Sequence, residues 1–259
     1  MNMRNLSLFT GSGIGDYAAE QCGIETVAQC ENDQACLYCL ERLFPHAKQF
    51  KDVRDVSVES LRELLPIDII SGGFPCQDIS TAGRGDGIEG SRSGLWREMF
   101  RIIRQVRPTW LLIENVPSIR VRGVDRVIAP LERIGYTCWP LVVGVAACGG
   151  DVPRERLWLV ARAVGLGLQS WELHETRLQD LQNTRPPVRK HPDGGGDHSR
   201  QTRSEAFASF PVETDGVAGG LLPATRKALL RMAGNGWCYT IPKMIYQWIM
   251  EVERDNAKR

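Results

Sequence analysis

The stretch LSLFTGSGIG, residues 6–15, decides the fold class of this 259-residue chain. Residues 6–9 are mostly apolar and predict a strand, which leads into a loop with glycines at positions 11, 13 and 15 and then into a helical pattern. Glycine lets a backbone approach a ligand closely, and the N-terminus of a helix favours polar or anionic groups. The stretch therefore predicts a strand–loop–helix unit of an α/β sheet, with a ligand at the loop.

The same alternation of strand and helix continues along the chain. Residues 26–30 predict a second strand, and short apolar runs at residues 67–71 and 110–113 predict strands that are covered on both faces. Apolar residues at helical spacing over residues 95–106 separate the last two runs, and Asn32 is expected to cap the helix after the second strand. We therefore predict an α/β fold with a doubly wound, mostly parallel sheet.

The pattern changes in the second half of the chain. Apolar runs at residues 141–145 and 157–161 are joined by a turn-rich link and predict a strand pair rather than another crossover. Glycine and proline clusters then replace periodicity, and a final amphipathic helix closes the chain. We expect three parts: residues 1–164 as a cofactor-binding and catalytic domain, residues 165–222 as a small loop-rich region, and residues 223–259 as a return to the first domain.

Composition limits the function classes. The 32 Lys and Arg residues nearly balance the 31 Asp and Glu residues, so a nucleic-acid surface would have to be a local basic cleft. No apolar run approaches the roughly 18 residues of a membrane span, and no signal-peptide core precedes the first strand. We expect a soluble, cytoplasmic protein.

Four of the eight cysteines lie close together in the sequence, at positions 22, 30, 36 and 39. Their spacing matches no closed tetrahedral zinc pattern, and Cys36 and Cys39 lie in a helical stretch. We expect small buried hydrophobic side chains rather than a metal site.

Two acidic positions follow predicted strands. Glu31 ends the second strand, where a carboxylate can accept hydrogen bonds from both hydroxyls of a ribose. The loop spacing is GxGxG rather than GxGxxG, which favours an adenosyl cofactor other than a dinucleotide. Asp52 and Val53 follow the next apolar segment, where Asp52 is either a contact to the adenine edge or a solvated loop acid.

The tetrapeptide Phe74-Pro75-Cys76-Gln77 follows an apolar run that ends in two glycines. It presents a cysteine behind a proline at the carboxyl end of a strand, where open α/β sheets bind and react. A thiolate is a strong carbon nucleophile, although a Pro-Cys pair by itself is also common in structural positions.

Three further charged residues are candidates. Glu114 ends the run at residues 110–113 and is either an exposed strand-end acid or an inward-facing general acid. Arg154 and Arg156 open the following strand and point to one side at period two, either as a solvated edge or towards a site.

Together these segments resemble the DNA cytosine-5 methyltransferase family, in its solitary prokaryotic or phage type, since the first motif lies at residue 6. The similar segments occur in the family's order: Phe9-Thr10-Gly11-Ser12-Gly13, Glu31, Asp52-Val53, Gly73-Phe74-Pro75-Cys76-Gln77, Ser91-Arg92-Ser93-Gly94-Leu95-Trp96, Glu114-Asn115-Val116, Arg154-Glu155-Arg156 and Gly234-Asn235-Gly236-Trp237. The sequence departs from the family's usual residues at Ile14, Asn32 and Val152, none of which is a reacting group.

The resemblance implies S-adenosylmethionine as the cofactor. The residues that it implies for cofactor binding are Phe9, Gly11, Gly13, Glu31, Asp52, Val53, Pro75, Leu95, Asn235 and Trp237. It also implies that the Cys76 thiolate adds to carbon 6 of cytosine, that Glu114 stabilises the charge at ring nitrogen 3, and that Arg154 and Arg156 orient the pyrimidine and the Cys76 loop. An RNA cytosine-5 methyltransferase and a catalytically silent cofactor-binding or DNA-binding module remain as alternatives.

Duplex DNA is the implied partner, and a cytosine that reacts must first leave the stack. Residues 77–92 then form either a mobile lid or a passive surface loop, and residues 165–222 align with the family's target-recognition region. The DNA-binding candidates are Gln77, Ser80, Arg84, Arg92, Arg177, Arg185, Arg189, Arg200 and Arg203. We further expect a monomer and a cognate restriction nuclease encoded elsewhere.

Overall fold

A computed structural model describes residues 2–75, 94–144, 155–164 and 238–258. The strands are β1 (Met3–Leu8), β2 (Ile24–Cys30), β3 (Lys48–Phe50), β4 (Ile69–Gly72), β5 (Trp110–Asn115), β6 (Tyr136–Gly144) and β7 (Glu155–Ala163). The helices are α1 (Ile14–Glu20), α2 (Gln34–Leu43), α3 (Gly94–Val106), α4 (Ile119–Arg122), α5 (Asp125–Arg133) and α6 (Thr240–Ala257), with short 3₁₀ helices at Val53–Asp55 and Arg62–Leu64.

The seven strands form one sheet in the order β3-β2-β1-β4-β5-β7-β6. The first five strands in that order run parallel, and β7 is antiparallel to both of its neighbours. The predicted doubly wound, mostly parallel α/β fold is confirmed, and so is the strand pair formed by β6 and β7. The chain reverses its direction of travel across the sheet between β1 and β4, which is where ligands bind in open α/β sheets.

Both faces of the sheet are covered, which explains the continuous apolar runs. On β5, Trp110 and Leu112 pack with helices α1 and α6, whereas Leu111 and Ile113 pack with α3 and α5 on the other face. Successive strand residues point to opposite faces, so a strand between two helical layers needs apolar residues at every position.

A shared carboxylate attaches the last helix to the sheet. Glu253 on α6 lies 3.1 Å from the guanidinium of Arg162 on β7, and it also accepts a hydrogen bond of 3.1 Å from the indole of Trp110. The Arg162 side chain is only 5% exposed, and a charge so deeply buried needs such a partner. Among the helices that the structure describes, none is long and apolar enough to cross a membrane.

The expected cap of α2 is wrong by one residue. Asp33, not Asn32, is the N-cap, and its carboxylate accepts hydrogen bonds from the amides of Ala35 and Cys36 at 2.9 and 3.3 Å. The physical reason is that the amides of Asn32 and Asp33 both donate to Glu31, so the chain is still turning at Asn32 and the helix begins one residue later.

The cysteines named above lie within this framework. Cys30 and Cys36 are buried, and Cys22 and Cys39 are partly buried, all as free thiols. Within the described part of the chain, no three His, Cys, Asp or Glu residues are grouped so that they could hold a metal ion.

Candidate active site

The candidate residues gather at one edge of the sheet. Strands β1, β2, β4 and β5 are parallel, so their carboxyl ends share this edge. The segments that follow β1, β2 and β4 carry the Phe9–Gly13 loop, Glu31 and the Phe74-Pro75 pair, and the Glu114-Asn115 pair forms the end of β5. Strand β7 runs the other way, which brings its first residues to the same edge.

The loop after β1 has an unusual backbone. Phe9, Gly11 and Gly13 have φ angles of 55°, 63° and 83°, in the left-handed region. A Cβ atom on Gly13 would lie 2.7 Å from the ring of Phe44, so the close approach to the end of α2 requires glycine. A Cβ atom on Gly11 would have no described atom within 4 Å, so here the backbone conformation, not crowding, favours glycine. Among the described residues, the space beside Gly11 is therefore open for a ligand.

Glu31 joins this loop to the end of β2. One carboxylate oxygen accepts a hydrogen bond of 2.7 Å from the amide of Gly11, and the other accepts bonds of 2.8 Å from the amides of Asn32 and Asp33. Charge-assisted bonds of this kind are short and strong. A carboxylate has about four acceptor positions, so the three backbone bonds leave capacity for a ligand hydroxyl.

Asp52 and Val53 lie just beyond β3. The carboxylate of Asp52 caps the 3₁₀ helix Val53–Asp55 by accepting a hydrogen bond from the amide of Arg54. It also accepts hydrogen bonds from the guanidinium of Arg54, with Nε at 2.9 Å and Nη2 at 2.5 Å. These hydrogen bonds from Arg54 lower the pKa of Asp52 to about 2. Asp52 is therefore an ionised, partly exposed acid in a fixed orientation, whereas Val53 is buried in the core.

The chain leading to Cys76 packs tightly against β1. A Cβ atom on Gly72 would lie 2.1 Å from the carbonyl oxygen of Leu8, so only glycine fits at the end of β4. Phe74 is buried and its ring centroid lies 5.2 Å from that of Trp96 on α3, beside the partly buried Leu95. Pro75 is exposed, so the chain leaves the core immediately before Cys76.

Asn115 holds this segment from the neighbouring strand. Its side-chain amide donates to the carbonyl oxygen of Phe74 at 3.0 Å, while its own oxygen accepts from the amide of Val116 at 2.9 Å. The side chain is buried, so both of its polar groups need these partners. Sequence reasoning missed this positioning role, although an asparagine ending an apolar strand was a usable signal.

Glu114 faces Arg156. The two residues lie on adjacent antiparallel strands, with Oε1 of the carboxylate 2.8 Å from Nε of the guanidinium. Their side chains are 13% and 24% exposed, so Glu114 is an inward-facing acid rather than an exposed one. The ion pair fixes the orientation of the Glu114 carboxyl group at the carboxyl end of β5, next to the residue that holds Phe74 in place.

Several predicted site residues lie outside the described residues. They are Cys76, Gln77, Ser80, Arg84, Arg92, Arg154, Arg177, Arg185, Arg189, Arg200, Arg203, Asn235 and Trp237. The structure thus brings together the cofactor candidates Phe9, Gly11, Gly13 and Glu31 with Pro75, Glu114 and Arg156.

Comparison with known proteins agrees with this geometry. The family model described as C-5 cytosine-specific DNA methylase matches residues 3–211. The type II methyltransferase M2.BsuMI of Bacillus subtilis is 37% identical over 162 residues, which cover 60% of this chain and 40% of the relative. The type II methyltransferase M.FnuDI of Fusobacterium nucleatum is 31% identical over 174 residues, which cover 66% of this chain and 50% of the relative. The matches thus span half or less of these relatives.

Two solved structures share the fold. One is a DNA modification methyltransferase encoded within a prophage (E. coli), with a TM-score of 0.54 and 24% identity over 63% of this chain and 47% of that chain. The other is a mutant of Spodoptera frugiperda DNMT2, with a TM-score of 0.53 and 20% identity over 63% of this chain and 51% of that chain.

Proposed function

Because the chain belongs to the C-5 cytosine-specific DNA methylase family, we propose that it transfers a methyl group from S-adenosylmethionine to carbon 5 of a flipped-out cytosine in duplex DNA. One observation carries the proposal. The adjacent residues Glu114 and Asn115 contact, respectively, Arg156 and the carbonyl of Phe74, and so connect the acid, the arginine and the chain leading to Cys76 at the cofactor edge.

The residues at that edge fit S-adenosylmethionine. The open side of Gly11 admits an adenosyl group against the backbone, and Glu31 retains acceptor capacity for ribose hydroxyls. Phe9, Gly13, Asp52, Val53, Pro75, Leu95, Asn235 and Trp237 complete the proposed binding set. When bound, the cofactor supplies an electrophilic methyl group on a sulfonium.

The proposed chemistry begins at Cys76, since carbon 5 of cytosine is a poor nucleophile. The thiolate forms a bond to carbon 6, which moves electron density to carbon 5 so that it can accept the methyl group. Glu114 shares a proton with ring nitrogen 3 and stabilises the charge that develops there. Arg156 orients Glu114, and Arg154 orients the pyrimidine oxygen. A base, which we propose is water, then removes the proton from carbon 5. The bond between Cys76 and carbon 6 breaks, and the aromatic ring is restored.

The reaction requires the cytosine to leave the stack, at a cost of a few kcal/mol. We propose that residues 77–92 close over it, with Gln77, Ser80, Arg84 and Arg92 on the DNA. Residues 165–222 would select the sequence, because they interrupt the two blocks that carry the motifs. We place base-reading contacts among Arg177, Arg185, Arg189, Arg200 and Arg203, since arginine to guanine is the commonest specific contact.

These arginines are tested singly. Replacing a base-reading arginine by alanine should cost about 1–3 kcal/mol and relax the methylated site at one position, whereas loss of a phosphate contact should weaken all sequences alike. Sequencing of methylated sites distinguishes the two. If all five variants keep the wild-type DNA site, sequence selection lies elsewhere in the protein.

We further propose that the protein acts as a monomer in the cytoplasm. We also propose that a cognate nuclease accompanies it, because its relatives are named as type II methyltransferases.

Methyl transfer tests the function directly. The protein is incubated with S-adenosylmethionine carrying a labelled methyl group and either duplex DNA or transfer RNA, and the modified nucleoside is identified by mass spectrometry. We expect 5-methylcytosine in DNA, with Cys76→Ser as the inactive control. Label in transfer RNA alone would support the RNA alternative, and cofactor binding without transfer to either would support a silent module.

A further inference from the structure

A row of polar side chains crosses four neighbouring strands of the sheet, next to the edge at which we place the cofactor. Ser71, Ser7, Gln29 and Gln49 lie opposite one another on β4, β1, β2 and β3. Each is the penultimate residue of its strand. Ser7, Gln29 and Ser71 are buried in strands whose other interior residues are largely apolar. Burying polar groups is costly unless they are hydrogen-bonded, so this row requires an explanation.

Asp16 attaches the first helix to this row. It lies in the first turn of α1, directly after the Gly11–Gly13 loop, and it is only 1% exposed. Its Oδ2 atom accepts a hydrogen bond of 3.2 Å from the hydroxyl of Ser7, while its Oδ1 atom has no hydrogen-bond partner among the described residues. The side chain of Gln29 faces the same carboxyl group.

Ser7 continues this connection into the cofactor loop. Its carbonyl oxygen accepts a hydrogen bond of 3.2 Å from the hydroxyl of Thr10, which also lies 3.3 Å from the carbonyl oxygen of Cys30. Asp16 and Thr10, on opposite sides of the glycines, are thus both anchored on Ser7. The two ends of the glycine loop are therefore attached to the same residue of β1.

Burial decides the charge of Asp16. Burial raises its pKa to about 7 and the nearby carboxylate of Glu20 adds to the rise, whereas the polar side chains of Gln29 and Ser7 oppose it. Among the described residues, Tyr246 on α6 also faces Asp16; its own pKa is raised by burial, and it in turn faces Ser71 and Cys22. None of these neighbours is a cation that would stabilise an ionised Asp16.

We propose that Asp16 is a positioning residue whose neutral carboxyl group holds α1 and the glycine loop on the polar row in the conformation that binds S-adenosylmethionine. The inference rests on the proposed cofactor binding at this loop. Ionisation places a negative charge in the core, near the carboxylate of Glu20 and without a cation among the neighbours named above, which loosens the start of α1. Cofactor affinity therefore falls as the pH rises through the neutral range.

Calorimetry with S-adenosylmethionine on the full chain tests this between pH 6 and pH 8.5. Asp16→Asn keeps the shape and cannot ionise, so it should match the wild type at pH 6 and bind about tenfold more tightly at pH 8.5, within the usual range of coupling between sites. The ratio of the two Kd values removes the titration of the cofactor's own amino group, which occurs near pH 8. Glu25→Gln, at an exposed acid of β2, is the matched control and should follow the wild type.

Asp16→Ala provides the second comparison, because it removes the hydrogen-bonding group altogether. It should bind about tenfold more weakly than Asp16→Asn at pH 6, and thermal unfolding identifies any variant that fails to fold. A Kd ratio between wild type and Asp16→Asn that is constant with pH would overturn the inference alone. Absence of cofactor binding by the wild type at every pH would overturn the proposed function together with it.

Discussion

Oε1 of Glu114 lies 2.8 Å from Nε of Arg156, across the antiparallel pair formed by β5 and β7. The parallel strands end at the site edge, whereas β7 begins there. Because β7 is antiparallel to β5, Arg156, at the start of β7, lies close to Glu114, at the end of β5. The ion pair is mostly buried, so water screens it less than it screens a surface pair. Arg156 therefore fixes the direction in which the acid points.

Replacing Glu114 with glutamine should lower kcat by about 100-fold to 10,000-fold, the usual contribution of a positioned acid. The affinity for S-adenosylmethionine should remain near the wild-type value, because the proposed role of Glu114 is at the cytosine rather than at the cofactor. Single-turnover methylation and calorimetry measure the two quantities. A normal kcat in Glu114→Gln would exclude a direct role in the reaction.

Replacing Arg156 with alanine should lower kcat by about 100-fold, since a misplacement of about 1 Å near the reaction is this costly. Arg133→Ala, at an exposed arginine of α5, is the matched control and should retain full activity. If Arg156→Ala and Arg133→Ala have the same kcat, the ion pair between Arg156 and Glu114 has no part in catalysis.

Asn115 should be required for both stability and turnover. Asn115→Ala leaves the buried carbonyl of Phe74 without its donor and should lower the free energy of unfolding by about 1–3 kcal/mol. Asn115→Asp keeps an acceptor for Val116 but loses the donor to Phe74, and we expect it to lose turnover as well. Urea unfolding and methyl transfer are measured in parallel. Full activity in Asn115→Asp would show that the contact with Phe74 does not position Cys76.

Glu31→Ala should weaken binding of S-adenosylmethionine by about 1–3 kcal/mol, because the variant loses the hydrogen bond to Gly11 and the proposed acceptor for ribose hydroxyls. Glu31→Gln keeps one acceptor oxygen and should give an intermediate affinity. Calorimetry decides the question, and unchanged affinity in Glu31→Ala would mean that the cofactor site is misplaced.

Asp16 should also make stability depend on pH. Burial raises its pKa from 3.8 to about 7 in the folded protein. The neutral group therefore contributes stability that is fully present below pH 3.8 and is lost as the pH rises through 7. Asp16→Asn lacks this dependence, so urea unfolding should show the wild type losing stability relative to the variant between pH 4 and pH 7. Parallel curves over this range would contradict the assignment.

Much of the fold could be predicted because its strands are covered on both faces. The run at residues 110–113 is apolar at every position, and a polar residue directly after it, such as Glu114, then marks the end of a strand at the ligand edge. Contacts between distant segments carried no such signal. The hydrogen bond from Asn115 to Phe74 joins residues that are 41 positions apart in the sequence. The contact between Arg156 and Glu114 depends on the register of β7 against β5, which could not be predicted from the sequence.

Single polar residues were harder to place. Asp16 looks like an ordinary solvated acid in the first turn of a helix, and its burial depends on packing against Ser7. The cap at Asp33 was missed by one residue because Glu31 accepts hydrogen bonds from the amides of Asn32 and Asp33. Such local competition between hydrogen bonds decides where a helix begins, and it depends on side-chain positions.

Covalent trapping tests the central claim most directly. Wild type and Cys76→Ser are incubated with S-adenosylmethionine and duplex DNA containing 5-fluorocytosine, and the mixtures are separated under denaturing conditions. Fluorine cannot leave carbon 5 as a proton does, so the cysteine cannot be released after methyl transfer. The account predicts a stable protein–DNA adduct with the wild type and none with Cys76→Ser. Absence of an adduct with active wild type, or an equal adduct with Cys76→Ser, would contradict covalent catalysis by Cys76.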